Sequence, residues 1–297
     1  MNARTSAAPA VLFVLVGLAC QEVGASVAVL LFPQVGPLGM VMLRLVFAAV
    51  VLMAIARPRL SGHSRAAWIG VLQFGVVLAC MNGLFYLALE QLPLGVTVTI
   101  EVLGPLALSI IVARRASAWV WAGLALVGIL ALGGGGWDRL TVPGVLFALG
   151  AAASWAFYIL ASAKVGRQFP RLDGLALAMV VGAVLSLPFG IVDAGAALLR
   201  PDLLALGAAV AVLSSTVPYA LELIALRRLA ASVFAILMSL GPATASLAGF
   251  LLLGQHLVAL ELVGIALVIA ASIGAVLTAP RPRPRAAPAL PPAEPLA

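Results

Sequence analysis

Four side chains able to bind or neutralise a charged group lie inside stretches that are otherwise apolar: Glu22, Arg44, Asn82 and Glu101. An ionised group surrounded by hydrocarbon is costly, so residues of this kind face a polar cavity or one another instead of lipid. Two carboxylates and a guanidinium can together hold an ammonium, a carboxylate or a proton, and an asparagine adds a donor and an acceptor. Glu222 is a further acid, five residues before Arg227, and reads as a gate or as a partner for Arg227 or Arg228. Acid–base or metal chemistry has no such footing. Asp138, Asp173, Asp193 and Asp202 fall in loops or at the edges of apolar stretches, and His63 and His256 sit in or near loops. No catalytic dyad, metal set or cofactor site is therefore expected.

These residues need elements that carry them across a non-aqueous medium. Apolar residues make up 64% of the 297-residue chain and charged residues 9%, and the mean hydropathy is +1.21. So little polar surface cannot cover a water-soluble domain, so the chain is expected to be an all-α membrane protein. Runs long enough to cross a bilayer occur at 9–31, 37–56, 67–89, 94–113, 118–134, 143–163, 173–191, 203–226, 231–253 and 257–279, which predicts ten transmembrane helices. Glu22, Arg44, Asn82 and Glu101 fall on the first four spans, each roughly 0.6 to 0.7 of the way across from the N-terminal side, so they can share a layer. The Pro- and Ala-rich residues 280–297 are expected to be a disordered cytoplasmic tail.

The chain repeats itself. A shift of 137 carries Leu92 onto Leu229 and Gly104-Pro105 onto Gly241-Pro242, and a shift of 134 carries Val11-Leu12-Phe13 onto Val145-Leu146-Phe147. Residues 1–140 and 141–279 read as two five-helix units, and because five is odd the second enters the membrane from the opposite side. Inverted repeats of this kind are characteristic of transporters that bind substrate near the midplane. The paired Gly-Pro steps, Gly104, Pro105, Gly241 and Pro242, read as hinges or as static kinks.

Orientation follows from basic residues. Arg4, Arg57, Arg59, Arg65, Arg114, Arg115, Lys164, Arg167, Arg171, Arg227, Arg228, Arg281, Arg283 and Arg285 all fall on the side of the termini, out of 17 basic residues in the chain. Both termini are thus expected in the cytoplasm. The net charge of +7 is accounted for by this bias and by contact with the inner leaflet of the lipid bilayer, without a nucleic-acid partner.

The segments GASVAVLLFPQVGPLGMVMLRL (24–45), MNGLFYLALEQLPLGVTVTIEVLGPLAL (81–108), ALGAAASWAFYIL (148–160) and LSSTVPYALELIALRRL (213–229) resemble the threonine/homoserine exporters of the EamA-type drug/metabolite transporters. The resemblance implies the drug/metabolite transporter fold and a ten-helix inner-membrane carrier exporting small amino acids. It carries two departures: the family commonly has Glu before the proline of the ninth helix, where this chain has Gly241, and Gln where this chain has Glu22. A zwitterionic amino acid needs an anion beside its ammonium, which Glu22 or Glu101 can supply, and a cation beside its carboxylate, which Arg44 can supply. Asn82 can bond a side-chain hydroxyl, and Ser154, Trp155 and Tyr158 can wall the pocket opposite Glu22. Alternatively, Glu101 and Arg44 form a structural ion pair, and Tyr86 and Tyr219 are interfacial anchors. A multidrug or cationic-metabolite/proton antiporter of the same fold is the second functional reading, and an intramembrane enzyme the third. Proton coupling and a homodimer stay open.

Overall fold

The computed structural model describes residues 8–113, 116–132, 140–226, 228–229, 234 and 237–278. The tail 280–297 and the side chains of Tyr219 and Glu222 lie outside the described residues. The described residues are helical apart from the connections between spans, and the helices follow the predicted spans. Six are single long segments: Ala8–Val35, Pro37–Ala56, Arg65–Leu89, Val142–Val165, Asp173–Ala194 and Ala259–Thr278. At about 1.5 Å per residue, 20 residues span about 30 Å, the thickness of a bilayer core. Their outward faces carry Leu12, Val50, Leu72, Leu146 and Phe189, all more than half exposed, as a lipid-facing surface requires. The fifth span is the helix Ala116–Leu132.

Three spans are interrupted. The fourth divides into Leu94–Glu101 and Leu103–Ala113. Pro105 has no amide hydrogen, and the carbonyl it would have served in a regular helix is that of Glu101, four residues back, so the break falls at the intramembrane acid. The described helix of the ninth span begins at Gly241 and runs to Leu253, with Pro242 in its first turn. The eighth span runs Pro201–Ala211, then a π-turn at Val212–Thr216, then Val217–Leu226. No residue type in the segment announces that π-turn, and its position becomes meaningful only with the site.

Helices of the two halves pack on each other in a regular scheme. The second span lies along the seventh, the third along the sixth, the first along the eighth, the fourth along the ninth and the fifth along the tenth. Small residues allow the close approaches. A Cβ built on Gly128 would come 2.8 Å from the Gly264 carbonyl oxygen, and one on Gly264 would come 2.6 Å from that of Gly128.

The two ends of the bundle differ. At the end away from the termini, Ala28, Leu31, Val35, Met40, Leu89, Leu94 and Leu203 form a continuous buried cluster. Hydrogen bonds across the halves hold this end together. Leu38 and Gly39 N–H groups, at the start of the second span, donate to the Asp193 carboxylate at the end of the seventh (2.8 and 3.2 Å). The Leu94 N–H at the start of the fourth donates to Gln255 Oε1 beyond the ninth (2.9 Å). Both acceptors satisfy helix N-terminal donors that have no partner within their own helix.

Candidate functional site

Between that sealed end and the side of the termini lies a cavity of about 430 Å³. Its inner end is the layer anticipated from the sequence: Glu22, Arg44, Asn82 and Glu101 all line it. From there it runs toward the end of the bundle that carries the termini, between Leu18, Trp155, Tyr158, Ile159, Phe234, Met238 and Val276. Four charged or amide groups at the closed end and an apolar, aromatic wall beyond them give a concave site with few polar contacts, the usual composition of a small-molecule pocket.

Arg44 is 9% exposed and is held by groups from two other spans. Its Nε donates to Ser215 Oγ (3.1 Å), one terminal nitrogen to the Tyr86 hydroxyl (3.3 Å) and the other to the Ser214 carbonyl (3.3 Å). The guanidinium carbon also stands 5.6 Å from the centre of the Tyr86 ring, within cation–π range. Tyr86 itself is fully buried between Phe32 and Phe85, so it is an internal ligand of Arg44 and no interfacial anchor. Ser214 and Ser215 belong to the π-turn, which changes which carbonyls and hydroxyls face the second span. The first span can approach this turn because residue 24 is glycine: a Cβ there would lie 2.7 Å from Ser214 Cβ.

Glu22 is 2% exposed, and its Oε2 makes no hydrogen bond among the described residues. A buried carboxylate oxygen without a protein donor is unusual. Asn82 donates one amide hydrogen to the Leu78 carbonyl, four residues back (2.8 Å).

The other sequence candidates separate. Trp155 and Tyr158 line the cavity, three residues apart on one helix face, whereas Ser154 is not among its lining residues and donates to the Gly150 carbonyl (2.8 Å). Pro105 and Gly241 also line it. Gly104 is buried against the sixth span, where a Cβ would overlap the Ala152 carbonyl oxygen. Pro242 is buried at the start of its helix. Glu222 has no described side chain. Sequence reasoning missed Gln21, Phe85, Ser239 and Ser272, all of which line the cavity. For Phe85 the signal was proximity to Asn82 along the third span; for the serines there was none.

An all-helical membrane chain with a charged cavity enclosed between its two halves has the build of a solute transporter. Residues 142–277 match the EamA-like transporter family. The chain is 38% identical over 270 residues to the threonine/homoserine exporter RhtA of Escherichia coli (strain K12) and to that of Salmonella typhimurium (strain LT2), covering 90% of this chain and 91% of each relative. It is also 30% identical over 209 residues to the uncharacterised transporter YwfM of Bacillus subtilis (strain 168), covering 68% of this chain and 71% of that one. A solved crystal structure superposes with a TM-score of 0.62 at 18% identity, covering 90% of this chain and 97% of the other, which is a likeness of fold. This chain belongs to the EamA-like transporter family. It is an integral membrane transporter and not an enzyme.

Proposed function

We propose that this transporter exports small zwitterionic amino acids with a polar side chain, threonine and homoserine foremost, by alternating access across the inner membrane. The observation that carries the reading is the closed end of the cavity, where Glu22 and Glu101 stand with Arg44 and Asn82. The carboxylates match a substrate ammonium and the anchored guanidinium matches its carboxylate, each as a charge-assisted hydrogen bond in a medium where an unpaired charge is costly. The names of the relatives support the same substrates.

The two halves act as inverted repeats. The packing scheme supports this, because exchanging each span with the one five places along turns the pairing of spans three and six into that of eight and one, and leaves the pairs two–seven, four–nine and five–ten unchanged. Basic residues put the termini in the cytoplasm. The cavity then faces the cytoplasm while the other end is held by Asp193 and Gln255, the arrangement in which an exporter loads. Two carboxylates against one guanidinium leave one acid in excess, which favours exchange of an incoming proton for the outgoing zwitterion.

The same excess acid, with the aromatic wall of Trp155, Phe85 and Phe234, is what a transporter of organic cations would use. Cells separate the two readings. Overproduction is expected to give tolerance to growth-inhibitory threonine and homoserine and to raise both in the medium. Protection against cationic dyes alone would replace the amino-acid reading with the multidrug one.

A further inference from the structure

The second and seventh spans pack along each other in antiparallel fashion, with Gly39 against Ala194 and Gly190 against Met42. The same register sets Val46 beside Leu187 and Met53 beside Val180, and between those two pairs the helices leave a groove of about 490 Å³ on the outside of the bundle. Ala49 and Ala183 are buried at its floor, while Val50 and Val184, more than half exposed, form its rim. Every side chain that lines it is apolar. The transport cavity shares none of them.

The groove has the depth of one leaflet. At about 1.5 Å per residue, Met53 lies about 6 Å and Val46 about 16 Å along the second span from Arg57, where the helix ends, and half of a hydrocarbon core is about 15 Å. Arginines gather at its mouth. Arg57 follows Met53 by one helical turn, Arg59 lies just beyond it, and Arg171 lies two residues before the seventh span begins at Asp173. The two connections that carry them pack together: the His63 Nε2 meets the Arg59 carbonyl (3.0 Å), and the His63 ring lies 4.3 Å from that of Phe169. Asp173 is the only acid in these connections, 57–64 and 166–173. Arg59 and Arg171 make no side-chain hydrogen bond or ion pair among the described residues, and Arg57 donates through Nε to the Ala54 carbonyl (3.3 Å). Arg57 and Arg171 are also the two non-glycine residues, among those described, with left-handed backbone (φ 47° each). Glycine adopts that conformation freely and a residue with a Cβ does so at a cost, yet both positions carry a guanidinium.

We propose that this groove and its arginines bind one anionic phospholipid, with an acyl chain between the second and seventh spans and the headgroup phosphate held by Arg57, Arg59 and Arg171. A guanidinium pairs with two phosphate oxygens at once. Three guanidiniums against one carboxylate favour a headgroup of net negative charge over a zwitterionic one. A second copy of the chain fits the groove less well, because its eight lining residues are far fewer than the roughly 20 to 30 a side of a stable interface. The site lies outside the transport cavity and holds for whatever solute the carrier moves.

The test is native mass spectrometry of the full chain in detergent, titrated with phosphatidylglycerol and with phosphatidylcholine of the same acyl chains. A basic residue beside an anionic headgroup raises affinity about fivefold, so Arg57→Gln/Arg171→Gln is expected to weaken phosphatidylglycerol binding about 25-fold and to leave phosphatidylcholine binding unchanged. Arg228→Gln, at an exposed arginine just beyond the eighth span, is expected to change neither. Val50→Trp and Val184→Trp, each filling the groove from its exposed rim, are expected to weaken both lipids. Equal affinities of the unaltered protein for the two lipids, equal losses from the double variant and from Arg228→Gln, or unchanged binding by both tryptophan variants would each overturn the site. A dimer that the tryptophan variants split, with lipid binding untouched, would overturn it too and assign the groove to a second copy. None of these outcomes reads transport, so failure of the lipid site leaves the export reading as it stands.

Discussion

Replacing Arg44 by alanine is expected to abolish export of threonine and homoserine in protein that still reaches the membrane. A carboxylate moving from water into the cavity loses its hydration and needs a charge-assisted donor. A bond of that type contributes about 1.5 to 3 kcal/mol, so its loss alone lowers transport about 10- to 150-fold, and an uncompensated carboxylate facing Glu22 and Glu101 lowers it further. The lysine variant is expected to fail as well. An ammonium cannot reproduce the fork by which Arg44 meets Ser215, Tyr86 and the Ser214 carbonyl together. Efflux of labelled threonine at matched membrane abundance checks both variants. Efflux at the normal rate from Arg44→Ala would take Arg44 out of the site and leave it a role in helix packing alone.

The second large effect is expected from a residue that touches no substrate. Gly104 and Gly241 are equivalent in the repeat and each precedes a proline, so two matched hinges would predict similar consequences for Gly104→Ala and Gly241→Ala. Their surroundings predict otherwise. A Cβ at Gly104 would overlap the Ala152 carbonyl oxygen and come 3.1 Å from Ala152 Cα, so the fourth and sixth spans must separate. Backbone cannot rotate away as a side chain can, and overpacking of this kind costs about 1 to 3 kcal/mol or more. At Gly241 the nearest atom to a Cβ is Val98 Cγ1 at 3.7 Å, an ordinary contact. Gly104→Ala is therefore expected to lower the melting temperature and folded yield in detergent, and Gly241→Ala to leave both unchanged. Equal melting temperatures would contradict the packing role assigned to Gly104.

The spans were legible because lipid requires every backbone polar group to be satisfied inside a helix, so length and hydropathy alone mark them. The charged layer was legible for the same reason, since Glu22, Arg44 and Glu101 are conspicuous against their surroundings and a polar cavity is where such residues belong. The groups that hold Arg44 were less visible. Tyr86 lies four residues after Asn82 on one face of its helix, a spacing that does signal a shared direction. Ser214 and Ser215 become ligands through a π-turn, which packs closely against Gly24 and has no local sequence mark. Ser154 failed for the opposite reason: adjacent to Trp155, it points about 100° around the helix from it, and donates to its own backbone.

The central claim is that the cavity carries a zwitterion outward, and the most direct measurement is efflux from vesicles of purified protein loaded with a panel of labelled amino acids and one organic cation. Threonine and homoserine are expected to leave fastest, with amino acids lacking a side-chain hydroxyl slower and the cation retained. Release of the cation with threonine and homoserine retained would contradict the account.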